Sequence, residues 1–138
     1  MPQVHINYLV VLVSAVLAFA IGGIWYSPVL FAQQWVNAHG FTEERVKEMQ
    51  KGAGKAYGIS ILCQLFIALA IAVIAGYLHL ASFAQGLKLG LLVWVGFALP
   101  LGLMAAMFTD RKMTVLLIDA GYQLVYLLVM GVVISVWH

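Results

Sequence analysis

Charge and cysteine are both scarce in this chain, and each scarcity removes a class of protein. Charged residues make up 9% of the 138, against roughly 25% in a typical soluble domain, so an ordinary water-facing surface is excluded. The formal net charge of +2 is too small to mark a nucleic-acid surface. One cysteine, Cys63, excludes an intramolecular disulfide and any Cys-pair centre; inside an apolar run it serves as a small packing residue. Also missing are a His-Glu-x-x-His run, a serine nucleophile elbow and a full phosphate loop, because Lys51-Gly52-Ala53-Gly54-Lys55 lacks both the spacing and the Ser/Thr. The expectation is a protein that is not an enzyme and carries no cofactor and no metal.

What is present is apolar: 64% of residues are hydrophobic, and they come in four long blocks rather than in amphipathic stripes. The blocks cover about 6–26, 56–78, 84–108 and 113–137, each near the roughly 20 residues that a helix needs to cross the hydrocarbon core. This predicts an all-α integral membrane four-helix bundle, one domain over 1–138, with the lipid bilayer as its first partner. Ala18-Phe19-Ala20 resembles a signal cleavage site, but Met1 to His5 holds no Lys or Arg and the apolar run is long for a signal core, so the first block is assigned as a span. Arg45, Lys47, Lys51 and Lys55 crowd the first connection and Arg111 and Lys112 the third, whereas the second has Lys88 alone. By the positive-inside rule both termini face outward, with Lys88 snorkelling to the interface.

The connection 27–55 predicts two short helices. Ser27 as N-cap and Pro28 at the first position open an interfacial helix that carries Phe31 and Trp35 on one face and stops at Gly40. Trp25, Tyr26, Phe31 and Trp35 are then interfacial anchors. A charged helix follows from Thr42, with Glu43 and Glu44 in its first turn and Glu43–Lys47 and Glu48–Lys51 as neighbours.

Small residues recur every four positions on three spans: Ser14, Ala18 and Gly22; Ala68, Ala72 and Gly76; and Gly86, Gly90, Ala98, Gly102 and Ala106, with Trp94 interrupting. Such stripes are packing seams, within one chain or between chains. Pro100 should kink the third span. Sliding the second span onto the fourth by 59 residues sets Ser60 on Asp119, Gln64 on Gln123 and His79 on His138, which raises a duplicated helical hairpin as one reading of the chain.

Asp119 is the acidic residue inside a long apolar run, and a carboxylate there is a functional-site candidate. Gln123 follows four residues on, Tyr122 and Tyr126 lie alongside, and Gln64 should stand at the depth of Gln123. Three readings stay open: a carboxylate bonded to Tyr, Gln or backbone groups or paired with Arg111 or Lys112; a proton- or cation-coupling site; and a ligand or lipid-headgroup site. His5, His79 and His138 share one predicted face, but no local ligand spacing joins them.

Two segments carry a family resemblance. Gly22-Gly23-Ile24-Trp25-Tyr26-Ser27-Pro28 with Phe31 and Trp35, and Leu117-Ile118-Asp119-Ala120-Gly121-Tyr122-Gln123-Leu124-Val125 with Met130-Gly131, resemble the small bacterial membrane family catalogued as domain of unknown function seventeen sixty-one. The resemblance implies a four-span bacterial inner-membrane protein with no assigned activity, and Asn in place of Asp119 in many relatives. Two functions follow as expectations. One is a non-enzymatic bundle that self-associates or binds a membrane partner; the other is a small transporter or ligand- or lipid-binding protein using the cluster around Asp119.

Overall fold

In the computed structural model, which describes residues 4–137, the chain forms α1 (Tyr8–Trp25), α2 (Ala32–His39), α3 (Glu43–Lys51), α4 (Ala53–Tyr77), α5 (Phe83–Val93), a π-helical turn (Trp94–Ala98), α6 (Leu99–Phe108) and α7 (Met113–Val136). α5, the π turn and α6 make one continuous span, Phe83–Phe108. This span, α1, α4 and α7 are each long and apolar enough to cross a membrane, as the four hydrophobic blocks predict. They alternate in direction, so α2 and α3 lie at one end of the bundle (the connection end) and residues 4 and 137 at the other (the termini end).

Local sequence sets the helix ends. Asn7 caps α1 by accepting from the backbone N–H groups of Leu9 and Val10, and Ser82 and Gln85 form a reciprocal capping box at the start of α5. Thr42 caps α3 as expected, its hydroxyl accepting from Arg45 N at 3.1 Å. Gly40 closes α2 at φ 73°. The same closure, with a left-handed residue whose successor donates back five positions, recurs at His79 and Asp110 (both φ 53°), where Leu80 N reaches Ala75 O and Arg111 N reaches Ala106 O.

α7 is the hub. It packs along α5, α1 and α4, while α1 also packs on α4; the third span makes its extensive contacts with α7 alone. The interior uses the predicted small residues: Ser14 and Ala18 of α1 and Ala68 of α4 are wholly buried, and Ala15, outside the predicted stripe, is buried with them. Where α5 meets α7 the backbones touch, because a Cβ on Gly90 would lie 2.5 Å from Leu127 O, and Gly86 and Gly131 face each other in the same way. These seams therefore join helices within one chain. Lipid gives helices little hydrophobic reason to associate, so close contact of this kind supplies the attraction.

Two expectations are corrected. Ser27 does not cap α2: residues 26–31 form a tight turn in which the Ser27 hydroxyl donates to Ile24 O at 2.6 Å, and α2 begins at Ala32 with Phe31 before it. Chain reversal after α1 takes those residues before a helix can start. The ion pairs Glu43–Lys47 and Glu48–Lys51 are not formed; among the described residues α3 carries instead Arg45–Glu48 at 3.5 Å, fully at the surface.

Pro100 leaves its mark one turn early. It cannot donate to the carbonyl four residues before it and its ring would crowd that group, and the π turn Trp94–Ala98 widens the helix to absorb the conflict. Beyond this turn the span touches α7 only lightly, with Ala106 the one buried residue of α6. The two helical hairpins thus differ in build. Gln64 is buried and Gln123 half-buried, and His138, paired with His79 in the sequence alignment, lies outside the described residues.

Candidate functional site

Asp119 stands at the connection end of α7, beneath the turn that follows α1. Its Oδ1 accepts from the Tyr26 hydroxyl at 2.5 Å and from the Trp35 indole N–H at 3.2 Å. The backbone on either side is held as well. Trp25 donates its indole N–H to Ile118 O at 2.9 Å, and Trp94, from the π turn, donates to Ala120 O at 2.9 Å. Three tryptophans and a tyrosine from three separate elements thus converge on residues 118–120.

One helical turn further in, the Tyr122 hydroxyl donates to Ala18 O at 2.7 Å and accepts from Gln64 Nε2 at 3.0 Å. That hydroxyl bridges α7, α1 and α4. Two glycines make the approach possible: a Cβ on Gly22 would sit 2.8 Å from the Tyr122 hydroxyl oxygen, and one on Gly121 would sit 3.0 Å from the Trp25 ring. Side-chain bulk at either position would separate α1 from α7.

Rings extend the cluster in both directions. Phe41 stacks on His39 at 4.7 Å, His39 meets Trp35 at 4.2 Å, and Trp35 meets Tyr26 at 5.9 Å. Tyr26 then meets Tyr122 at 5.6 Å, and Tyr122 meets Tyr126 at 4.8 Å. Each such pair contributes about 0.5–1.5 kcal/mol beyond its buried area. A continuous row of aromatic rings thereby runs from the end of α2 into the bundle core.

The electrostatics match a holding role. Burial first, and then the hydrogen bond to Asp119, raise the Tyr26 phenol well above its ordinary value of 10.0, so it stays a donor. Burial lowers His39 below 6.5; Asp119 opposes that shift and Arg111 adds to it. Its Nε2 is enclosed without a hydrogen-bond partner, an environment that favours neutral imidazole. Neither Arg111 nor Lys112 forms an ion pair with Asp119 among the described residues.

Of the residues singled out from sequence, Asp119, Tyr122, Gln64 and Tyr126 come together, Tyr126 through its ring alone. Gln123 is half-buried and makes no side-chain hydrogen bond with a described residue. Gln64 is 7% exposed and its Oε1 has no partner among the described residues. The clefts of about 420 and 240 Å³ on the bundle surface are lined by none of these residues. Sequence reasoning placed Trp25, Tyr26 and Trp35 only as interfacial anchors and gave Trp94 no role. The one signal available was not local but one of depth: Trp25 and Tyr26 end one span at the side where α7 enters, and Asp119 lies six residues into α7 from that side.

The family described as protein of unknown function (DUF1761) matches residues 9–135, and the chain belongs to it. No curated protein and no solved structure matches the chain. The two segments that carried the resemblance prove to be the two faces of one contact, Trp25–Tyr26 and Trp35 on one side and Ile118–Tyr122 on the other.

Proposed function

We propose that this family member is a non-enzymatic protein of the bacterial inner membrane, with both termini outside and the connection in the cytoplasm, that self-associates through its third span. Asp119 is then a fastening point rather than a coupling acid: both its donors come from the segment it holds down, and neither cleft described above is lined by it.

The observation that carries self-association is the imbalance among the spans. In the most apolar window of each, 6% of the third span is buried, against 39% of α7 and 22% or more of the other two. From the π turn onward the span turns an unpartnered stripe outward: Phe97 within the turn, then Leu101, Met104 and Phe108 on α6, spaced four, three and four. That spacing is one helix face, and a second copy meeting the same face would form an isologous dimer.

Disulfide trapping tests this in native membranes. Cys63, expected from the sequence to be a packing residue, is instead exposed and must first be replaced, as Cys63→Ser. Leu101→Cys in that background should then give an oxidant-dependent dimer, since a disulfide needs Cα atoms within about 7 Å. Leu9→Cys, exposed on α1, should not. Absence of the Leu101 dimer, or equal trapping at both positions, contradicts the proposal.

A further inference from the structure

We infer that the cleft at the termini end is a binding site for a single-chain lipid with a hydrogen-bond-accepting head, such as a long-chain fatty acid. The inference rests on the membrane-spanning character of the bundle and is independent of whether the third span mediates self-association.

The cleft has about 420 Å³ of space between residues 4–7, α1, α4 and α7, within the range of small-molecule sites. Its floor is apolar and cut from small side chains: Ala72 and Ala75 of α4 leave a hollow that Ile134 of α7 closes from the other side. Its rim is polar and aromatic, formed by His5, His79 and Trp137. These rim residues lie where the spans begin and end, the level at which a lipid head meets water. An imidazole carries at least one N–H donor whatever its protonation state, so the two at the rim supply donors that a carboxyl oxygen can accept.

Size selects the ligand class. The cleft holds about fourteen volumes of the size of a water molecule, roughly 30 Å³ each, which is room for one acyl chain rather than two.

Trp137 supplies the readout, because it lines the cleft while the other tryptophans, Trp25, Trp35 and Trp94, lie toward the connection end. The probe is a long-chain fatty acid brominated in mid-chain, titrated into the full chain in non-ionic detergent. Saturable quenching that Trp137→Phe abolishes is the expected result. Ala75→Leu fills the hollow and should weaken the apparent affinity about tenfold or more. Should that variant fail to fold, His79→Gly retains the turn, removes one imidazole and should weaken binding several-fold.

Quenching that does not saturate, or that survives Trp137→Phe, overturns the site. Affinity unchanged in the folded variants overturns it equally. A brominated alkane of the same length that binds as tightly as the acid overturns the role given to the imidazoles.

Discussion

The hydroxyl of Tyr26 and Oδ1 of Asp119 are 2.5 Å apart across 93 residues of sequence. That contact ties the turn after α1 to the start of α7, and Trp35 adds a second donor to the same oxygen. A hydrogen bond to a charged group contributes about 1.5–3 kcal/mol, and a buried donor stripped of its acceptor costs about 1–3 kcal/mol. Asp119→Leu should therefore destabilise the bundle in detergent by about 2–4 kcal/mol. Asp119→Asn keeps an acceptor oxygen and should cost less than half as much. Thermal unfolding of both variants checks this; equal losses would mean that the negative charge, rather than the acceptor, is what matters.

Backbone contact between α5 and α7 leaves no room for a side chain. Gly90→Ala places a methyl group 2.5 Å from Leu127 O, nearer than real contacts come, and the obstruction is backbone. Overpacking of this kind costs about 1–3 kcal/mol. Gly96→Ala, on the same span with nothing within 4 Å, should be neutral or slightly stabilising. Comparing the two unfolding midpoints separates crowding from a general intolerance of alanine.

Acidification should loosen the connection. Burial holds His39 below 6.5, so the undocked segment takes up the proton before the docked one does. The docked form then keeps its full stability above about 6.5 and loses it as pH falls further. Trp35, 4.2 Å from the imidazole, reports on this through its fluorescence. The emission should change as pH is lowered from 7 to 5, and His39→Phe should flatten the response. A flat profile in the parent protein contradicts the placement of His39.

The left-handed residues at helix closures make a further prediction. His79 and Asp110 both stand at φ 53°, a conformation that costs an ordinary side chain roughly 1–2 kcal/mol and glycine almost nothing. Asp110→Gly should raise the unfolding temperature modestly, by the equivalent of up to about 1 kcal/mol. A clear fall would show that the Asp110 side chain contributes a contact beyond the turn itself.

Much of this fold was legible because hydrophobic length and small-residue spacing are local properties. The four blocks, the caps at Thr42 and Gly40 and the seams through Ala18, Ala68 and Gly90 needed no tertiary knowledge. Asp119 was equally visible as an acid in an apolar run. Its partners were not, since Tyr26 and Trp35 have a sufficient local explanation at a membrane interface and nothing local reveals that they turn inward. Ser27-Pro28 misled for a related reason. A good helix start was present in sequence, but the chain needed those residues to turn back over Trp25, where Phe31 N donates to Trp25 O and the two rings meet at 4.8 Å.

Asp119 fastens the segment from Trp25 to Trp35 to α7. A double-mutant cycle on Tyr26→Phe and Asp119→Leu, measured by reversible unfolding of the full chain in detergent, tests it most directly. The account predicts a coupling free energy of about 1–3 kcal/mol, the double variant being little worse than Asp119→Leu alone. Strictly additive losses would contradict it.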